Sequence, residues 1–351
     1  MNHNRYAFLD GIRGMAAIFV LTRHTGNYWN HSFYRSYLAV DLFFILSGFV
    51  IAYAYDEKIK NNIITFRQFV LIRLIRLYPV FLLSLLICSL LLVGSLLTHQ
   101  NSFASFSEAL SVIALTALFL PSHMASNNSL FPINGPYWSL FFELVANFIY
   151  AAIRPILNNS VLAAIIVLFG LLVASASHNH GNLDIGFLWG SESVVGGFSR
   201  SMFGIFTGLF LYRHQAKFGH FFSRPNSAWL AFFSIAVILA SPSAVRFNWL
   251  IDVISVGVVF PIAVLCASQG KSTRLQSTLV LLGSASYPIY VLHVPFVEIL
   301  SSTIAGKVEA IAPVSGIILV TFLIALSVWI EKNYDIPFRR KLSSYIFQTR
   351  P

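Results

Sequence analysis

The chain has 351 residues, 57% of them hydrophobic and only 10% charged, and its mean hydropathy is +0.74. Soluble domains carry roughly one-quarter charged residues, so the composition excludes a water-soluble enzyme and points to one integral membrane domain over residues 1–351, with no appended soluble domain. The net charge of +10 does not indicate nucleic acid, because Lys and Arg lie in short clusters between apolar runs, where the positive-inside rule puts them.

In chain order the apolar windows fall near residues 8–26, 37–55, 70–97, 107–121, 137–153, 160–176, 194–212, 227–241, 249–267, 276–303 and 312–331. Three intervals hold clustered basic residues: 56–76 (Lys58, Lys60, Arg67, Arg73, Arg76), 213–224 (Arg213, Lys217, Arg224) and the tail after 331 (Lys332, Arg339, Arg340, Lys341). All three read as cytoplasmic. The stretches 98–106, 121–136 and 177–193 hold no Lys or Arg and suit the outer face. With both termini cytoplasmic the number of crossings is even. The window 107–121 is short, begins beside Glu108 and ends at Pro121, so it reads as a re-entrant or tilted piece. The expected fold is all-α, a polytopic integral membrane helix bundle of about ten transmembrane helices plus one re-entrant segment. Cys88 and Cys266 both lie in apolar runs and read as buried thiols. His178 and His180 read as loop residues without further metal ligands nearby.

The first window, "DGIRGMAAIFVLTRHTG", is polar in an unexpected way. Arg13 and His24 are eleven residues apart, about three helical turns, which puts them on one face roughly 16 Å apart along the axis. Asp10 shares that face. A polar stripe in a spanning helix belongs toward the bundle interior or a watery cavity, because ionisable groups facing lipid cost about 3 kcal/mol or more. Asp41, early in the second window, falls at similar depth to His24, and a carboxylate beside an imidazole would fix its tautomer and raise its basicity. Ser47 and Gly48 read as packing residues. Arg73 and Arg76, at i and i+3, form a guanidinium pair suited either to phosphates or to lipid headgroups of the membrane surface. Glu143, in "PYWSLFFELVANF", must be paired, protonated or in a cavity: one reading ties it to an intramembrane arginine, the other gives it a part in acceptor binding or in assisting His24. His293 reads as a residue tied to Tyr287 or Tyr290, and Trp138 as an interface anchor or a wall for a substrate. Tyr28, Trp29, Tyr34 and Tyr37 suit stacking on sugar rings and equally an interfacial aromatic belt.

Taken together and in order, Arg13 and His24 in "DGIRG…TRH", "VDLFFILSGF", Arg73 and Arg76 ahead of Pro79, "WSLFFELVANFIY" with Trp138 and Glu143, and "GSASYPIYVLHVP" resemble the membrane-bound acyltransferase-3 family, in its transmembrane-only form. The resemblance implies a bundle of about ten spans in a bacterial inner membrane. It also implies transfer of an acyl group, most often acetyl, from acetyl-CoA to a hydroxyl of a cell-surface carbohydrate such as an O-antigen or exopolysaccharide unit. It assigns Arg13 and His24 to the catalytic pair, and Arg73 and Arg76 to donor handling. Chemistry agrees with these residue types. Phosphates of acetyl-CoA need arginines, and a hydroxyl attacking a thioester must lose its proton, for which His24 with Asp41 behind it is the candidate base. An acetyl-histidine intermediate is the alternative use of the same imidazole. Glu143 joins this catalytic set. The acceptor carbohydrate, lipid-linked or free, is the expected partner, and no segment singles out a protein partner. A proton-coupled transporter of a small solute or acyl carrier would use similar intramembrane groups, but it is usually built from matched halves, and no internal repeat is apparent.

Overall fold

A segment inside a bilayer must close its own backbone hydrogen bonds, and the apolar runs accordingly form helices. The computed structural model describes residues 6–97, 105–124, 127–222, 224, 226–271 and 274–347. Its helices are α1 (Ala7–Arg23), α2 (Ala39–Lys60), α3 (Phe66–Leu97), α4 (Phe106–Ala117), α5 (Tyr137–Ile153), α6 (Asn159–His180), α7 (Ser191–Phe222), α8 (Ser227–Ala240), α9 (Asn248–Ile254), α10 (Phe260–Ser268), α11 (Gln276–Ala310), α12 (Val314–Ile330) and α13 (Ile336–Phe347). A π-helical turn, Ser255–Val259, joins α9 to α10, and another, Glu331–Asp335, joins α12 to α13. No strand forms among the described residues; Ser129 and Leu188 make an isolated bridge.

Eight helical stretches of the described residues are long and apolar enough to cross a bilayer. The protein is a polytopic all-α membrane bundle. α1 has only 17 residues but is walled in by its neighbours along most of its length. The fourth window forms the short apolar helix α4. Its 12 residues span about 18 Å, too little for a hydrocarbon core of ~30 Å. The helix runs down to the middle of α3, where Tyr78 donates to the Ala117 carbonyl (3.0 Å) and Phe119 stacks on Phe81 with centroids 3.8 Å apart. At Phe119, with φ of 57°, the chain turns back. The stretch 98–104 between α3 and α4 lies outside the described residues.

Two parallel helix pairs form the centre, and small residues set both. Along α1 and α11, Gly11 abuts Leu279, Gly14 abuts the Leu282 backbone, and Gly283 abuts Asp10; a Cβ on any of the three glycines would lie within 2.5 Å of these neighbours. Along α2 and α7, Gly48 meets the carbonyl of Ile205, and Gly204 and Gly208, spaced as in the small-xxx-small motif, meet Phe44 and Ile45. Ion pairs lie on either side of this second crossing: Asp41 with Arg200 above it and Asp56 with Arg213 (2.9 Å) below it. Tyr150 and Arg154 from the end of α5 also bind Asp56. The clustered basic residues of the three connections converge on the end of the bundle where α1 begins, called here the basic end. The opposite end carries His24, the start of α2 and the α6–α7 connection.

A Cβ at Gly208 would sit 2.1 Å from the Ile45 carbonyl oxygen, whereas one at Gly257 meets nothing within 4 Å. Overpacking of this kind costs about 1–3 kcal/mol or more. Gly208→Val therefore lowers the melting midpoint of the detergent-solubilised protein, and Gly257→Ala does not; equal midpoints would refute the close crossing.

Candidate active site

Because α1 and α11 run parallel in glycine contact, Arg13 faces the inside of the bundle at the basic end, while the exposed His24 lies beside α11 at the other end of the same stripe. At the basic end this stripe opens on a cavity with about 830 Å³ of empty space, lined by Arg13, Ser47, Arg73, Arg76, Glu143 and Tyr287 among others. Arg73 and Arg76 lie within α3 rather than in a loop and turn into this cavity. Arg73 Nη2 donates to Glu143 Oε1 at 2.8 Å, and Ser47 Oγ donates to the same oxygen at 2.5 Å. Arg76 reaches Asp335 at 3.3 Å, shares it with Arg339 (2.8 Å), and lies 5.5 Å from the centroid of the Tyr287 ring. Arg13 sits 3.5 Å from Asp10. Four guanidinium groups thus face three carboxylates. Among the described residues Arg73 Nε is buried without a hydrogen-bond partner, as are Arg339 Nε and Asp335 Oδ1. Such a concentration of partly unsatisfied guanidiniums suits a polyanionic ligand.

Tyr290 stands at the top of the cavity. Its hydroxyl lies 2.5 Å from Ser139 Oγ and donates to the Pro136 carbonyl at 3.1 Å. One turn further along α11, the fully buried His293 meets His24 from α1, with Nε2 of His293 3.1 Å from Nδ1 of His24. The surrounding acceptors assign both tautomers. His293 Nδ1 faces the Ile289 carbonyl at 3.1 Å and must donate to it, which leaves Nε2 of that ring as an acceptor. His24 Nδ1 therefore faces two acceptors, this Nε2 and the Val20 carbonyl at 3.0 Å, and carries the proton. The remaining nitrogen, His24 Nε2, keeps its lone pair on an exposed residue. That is the form a general base requires.

Asp41 does not take part in this arrangement, contrary to the sequence expectation. It is fully buried, and both its oxygens go to Arg200 from α7, at 2.9 and 2.7 Å. The reason is one of valence. A buried carboxylate needs a full positive charge and several donors, which a bidentate guanidinium supplies and a single imidazole N–H does not. Glu143 likewise meets Arg73 and Ser47 and not the histidines. Ser47, expected only to pack, contributes its hydroxyl to the cavity.

Other readings need correction in the same way. Trp138 is no interface anchor: it is buried beneath the Arg200 guanidinium, 5.2 Å from its ring centroid. Tyr28 and Tyr37 are buried, and Tyr37 donates to Asp252 at 2.7 Å, so neither is free to stack on a sugar. Tyr34 accepts from Asn182 and Asn248, and Trp29 packs against Gly316. His178 and His180 end α6 rather than lie in a loop, with Gly181 in the left-handed conformation terminating it. Sequence reasoning also missed the pairs Arg35–Asp252 and Arg76–Asp335, whose members are far apart in the chain, and the i, i+4 pair of Asp335 with Arg339. For His293 a signal existed: Ser286, Tyr290 and His293 follow the i, i+4, i+7 pattern of a single helix face.

The fold and site thus define a membrane-embedded helix bundle with an arginine-lined cavity below an oriented histidine pair. Residues 6–331 match the family described as Acyltransferase domain, acyltransferase-3, and the chain belongs to that family. It is an acyltransferase. Over 183 residues it is 38% identical to a Rhizobium radiobacter protein described as "Protein 2 in picA locus", an alignment covering 49% of this chain and 95% of that relative. No solved structure matches it.

Removing one partner of a buried ion pair costs about 3–5 kcal/mol, whereas replacing both with apolar residues is often close to neutral. Asp41→Leu and Arg200→Met should each lower the melting midpoint strongly, and the double variant should recover most of the loss. Additive losses would contradict a structural role for Asp41.

Proposed function

We propose that the protein transfers an acyl group, acetyl being the simplest, from acetyl-CoA to a hydroxyl of a cell-surface carbohydrate, with His24 as general base. The observation that carries this reading is that Arg13, in the arginine cavity, and His24, whose Nδ1 is held by Val20 and His293 so that Nε2 keeps its lone pair, lie on one face of α1. In this reading both termini are cytoplasmic and the membrane is the bacterial inner membrane. The clustering of basic residues at one end of the bundle supports that orientation.

Arg73, Arg76 and Arg13 would hold the phosphates of the donor, with Glu143 and Ser47 fixing the guanidinium of Arg73. An extended pantetheine arm is long enough for the roughly 16 Å between Arg13 and His24 estimated from helix rise. On its way it would displace the Tyr290 hydroxyl from Ser139. The acceptor oxygen then attacks the thioester carbonyl while His24 Nε2 takes its proton. The C–S bond breaks, the CoA sulfur leaves as thiolate, and the proton held by His24 returns to it. His293 acts as a positioning residue, because its lone pair holds the Nδ1 proton of His24 in place.

The test is label transfer from radiolabelled acetyl-CoA to extracted carbohydrate in membranes containing the protein. General-base removal typically costs 10²–10⁴-fold; His24→Ala should therefore lose transfer by at least about 10²-fold while still binding donor. Arg73→Ala/Arg76→Ala should raise the donor KM by roughly tenfold or more, as expected for lost hydrogen bonds to charged groups. Equal transfer by all three proteins would overturn the role assignments, and no transfer by the wild type would overturn the reaction.

A further inference from the structure

The opposite end of the bundle holds a second cavity that the chemistry above does not use. It is an open groove with about 1250 Å³ of empty space between the end of α6 and the start of α7. Its rim is fixed by the chain itself. Leu130 N donates to the Phe187 carbonyl (2.9 Å), Trp189 N to the Asn128 carbonyl (2.8 Å), and the Trp189 indole N–H to the Ser122 carbonyl (2.7 Å). The indole ring also stacks on His123, with centroids 5.1 Å apart. The groove is therefore shaped before any ligand arrives, and little ordering cost remains for binding.

Its polar groups are unspent. The side chains of Asn179, His180 and Glu192 line the groove, are exposed, and make no hydrogen bond or ion pair with another described residue. Together they offer amide, imidazole and carboxylate groups beside an aromatic face, a mixture that matches the alternating hydroxyls and C–H faces of a sugar. Asp184 connects the groove to the histidines: it lines the wall and forms an ion pair with Arg23, the residue preceding His24. No Lys or Arg lines the groove, whereas Asp184 and Glu192 do. With Asp184 held by Arg23, an acidic sugar would meet the unpaired carboxylate of Glu192 without a cation supplied by the lining, which selects against it.

We propose that this groove binds the acceptor of the reaction proposed above, an uncharged saccharide, and presents its hydroxyl toward His24. The inference rests on that reading of the site. It assigns Asn179 and Glu192 to sugar binding and leaves donor handling to the arginine cavity at the other end.

The experiment uses membranes carrying the full chain, radiolabelled acetyl-CoA, and the total glycan fraction extracted from host cell envelopes as acceptor. Wild type is compared with Ser175→Trp, which fills the groove, and with Asn179→Ala/Glu192→Gln; melting midpoints are measured in parallel. Both variants should raise the apparent KM for glycan about tenfold or more, leave the donor KM within twofold, and melt like the wild type. The labelled product should pass unretained through an anion exchanger. An unchanged glycan KM in both variants, with wild-type transfer intact, overturns the groove while leaving the acyltransfer reading in place. Label found mainly in the retained, acidic fraction overturns the uncharged saccharide. If the wild type binds acetyl-CoA but labels no glycan, the carbohydrate reading fails and takes this proposal with it.

Discussion

A guanidinium that enters the interior of a helix bundle must find its charge partners there, and the sorting of arginines by how well they succeed organises this molecule. Arg200 succeeds fully. It spends its donors on both oxygens of Asp41 and on the carbonyls of Ile185 and Tyr37, with Trp138 against its face. Arg154 and Arg213 share Asp56, and Arg35 joins Asp252, Asn248 and Ser241. These groups bind helices to one another. Arg13, Arg73 and Arg76 are different in that their partners leave an open cavity between them. Cations packed round empty space are costly unless an anion comes, so the same physics that explains the structural arginines also marks the site.

The second constraint is distance between backbones. Gly11, Gly14 and Gly283 let α1 and α11 approach until side chains of neighbouring turns share one layer. This approach is why Nε2 of a fully buried histidine on α11 falls 3.1 Å from the imidazole of His24. It also keeps Arg13, in the cavity at the basic end, and the exposed His24, at the other end, on the side of α1 that meets α11. A larger residue at any of these glycines would push the helices apart and uncouple the histidines without touching either.

How much of this was legible in the sequence follows from the range of the interaction. Hydropathy and the short fourth window depend on local composition, and both the all-α bundle and the shortness of α4 could be read from it. The shared face of Arg13 and His24 depends only on helical periodicity. Asp41 was misassigned because depth alone suggested its partner, while the actual partner, Arg200, lies 159 residues further on. Trp138, Tyr28 and Tyr37 were read as interfacial because aromatic residues near span ends usually are. Here the short helices between α1 and α2 bury Tyr28 and turn Tyr37 onto the buried Asp252, and Trp138, at the start of α5, lies under the buried Arg200. Asp335 and Arg339 looked like parts of a cytoplasmic tail, and only the return of α13 to α3 brings them to Arg76.

The division of labour along α1 has a chemical logic of its own. A donor rich in phosphate needs several cations close together, whereas a base that accepts a hydroxyl proton must itself be uncharged when the acceptor arrives. Eleven residues of helix, roughly 16 Å, keep the two requirements apart while one rigid element preserves their register. The partner chosen for His24 continues the separation. A carboxylate in its place would supply charge as well as orientation; the neutral His293, anchored through Nδ1 to its own helix backbone, supplies orientation alone. Arg23 is likewise kept occupied by Asp184, so the cation next to His24 is already neutralised on the side facing the groove between α6 and α7. In the proposed reaction the arginines and His24 would then act on two ends of a single extended donor.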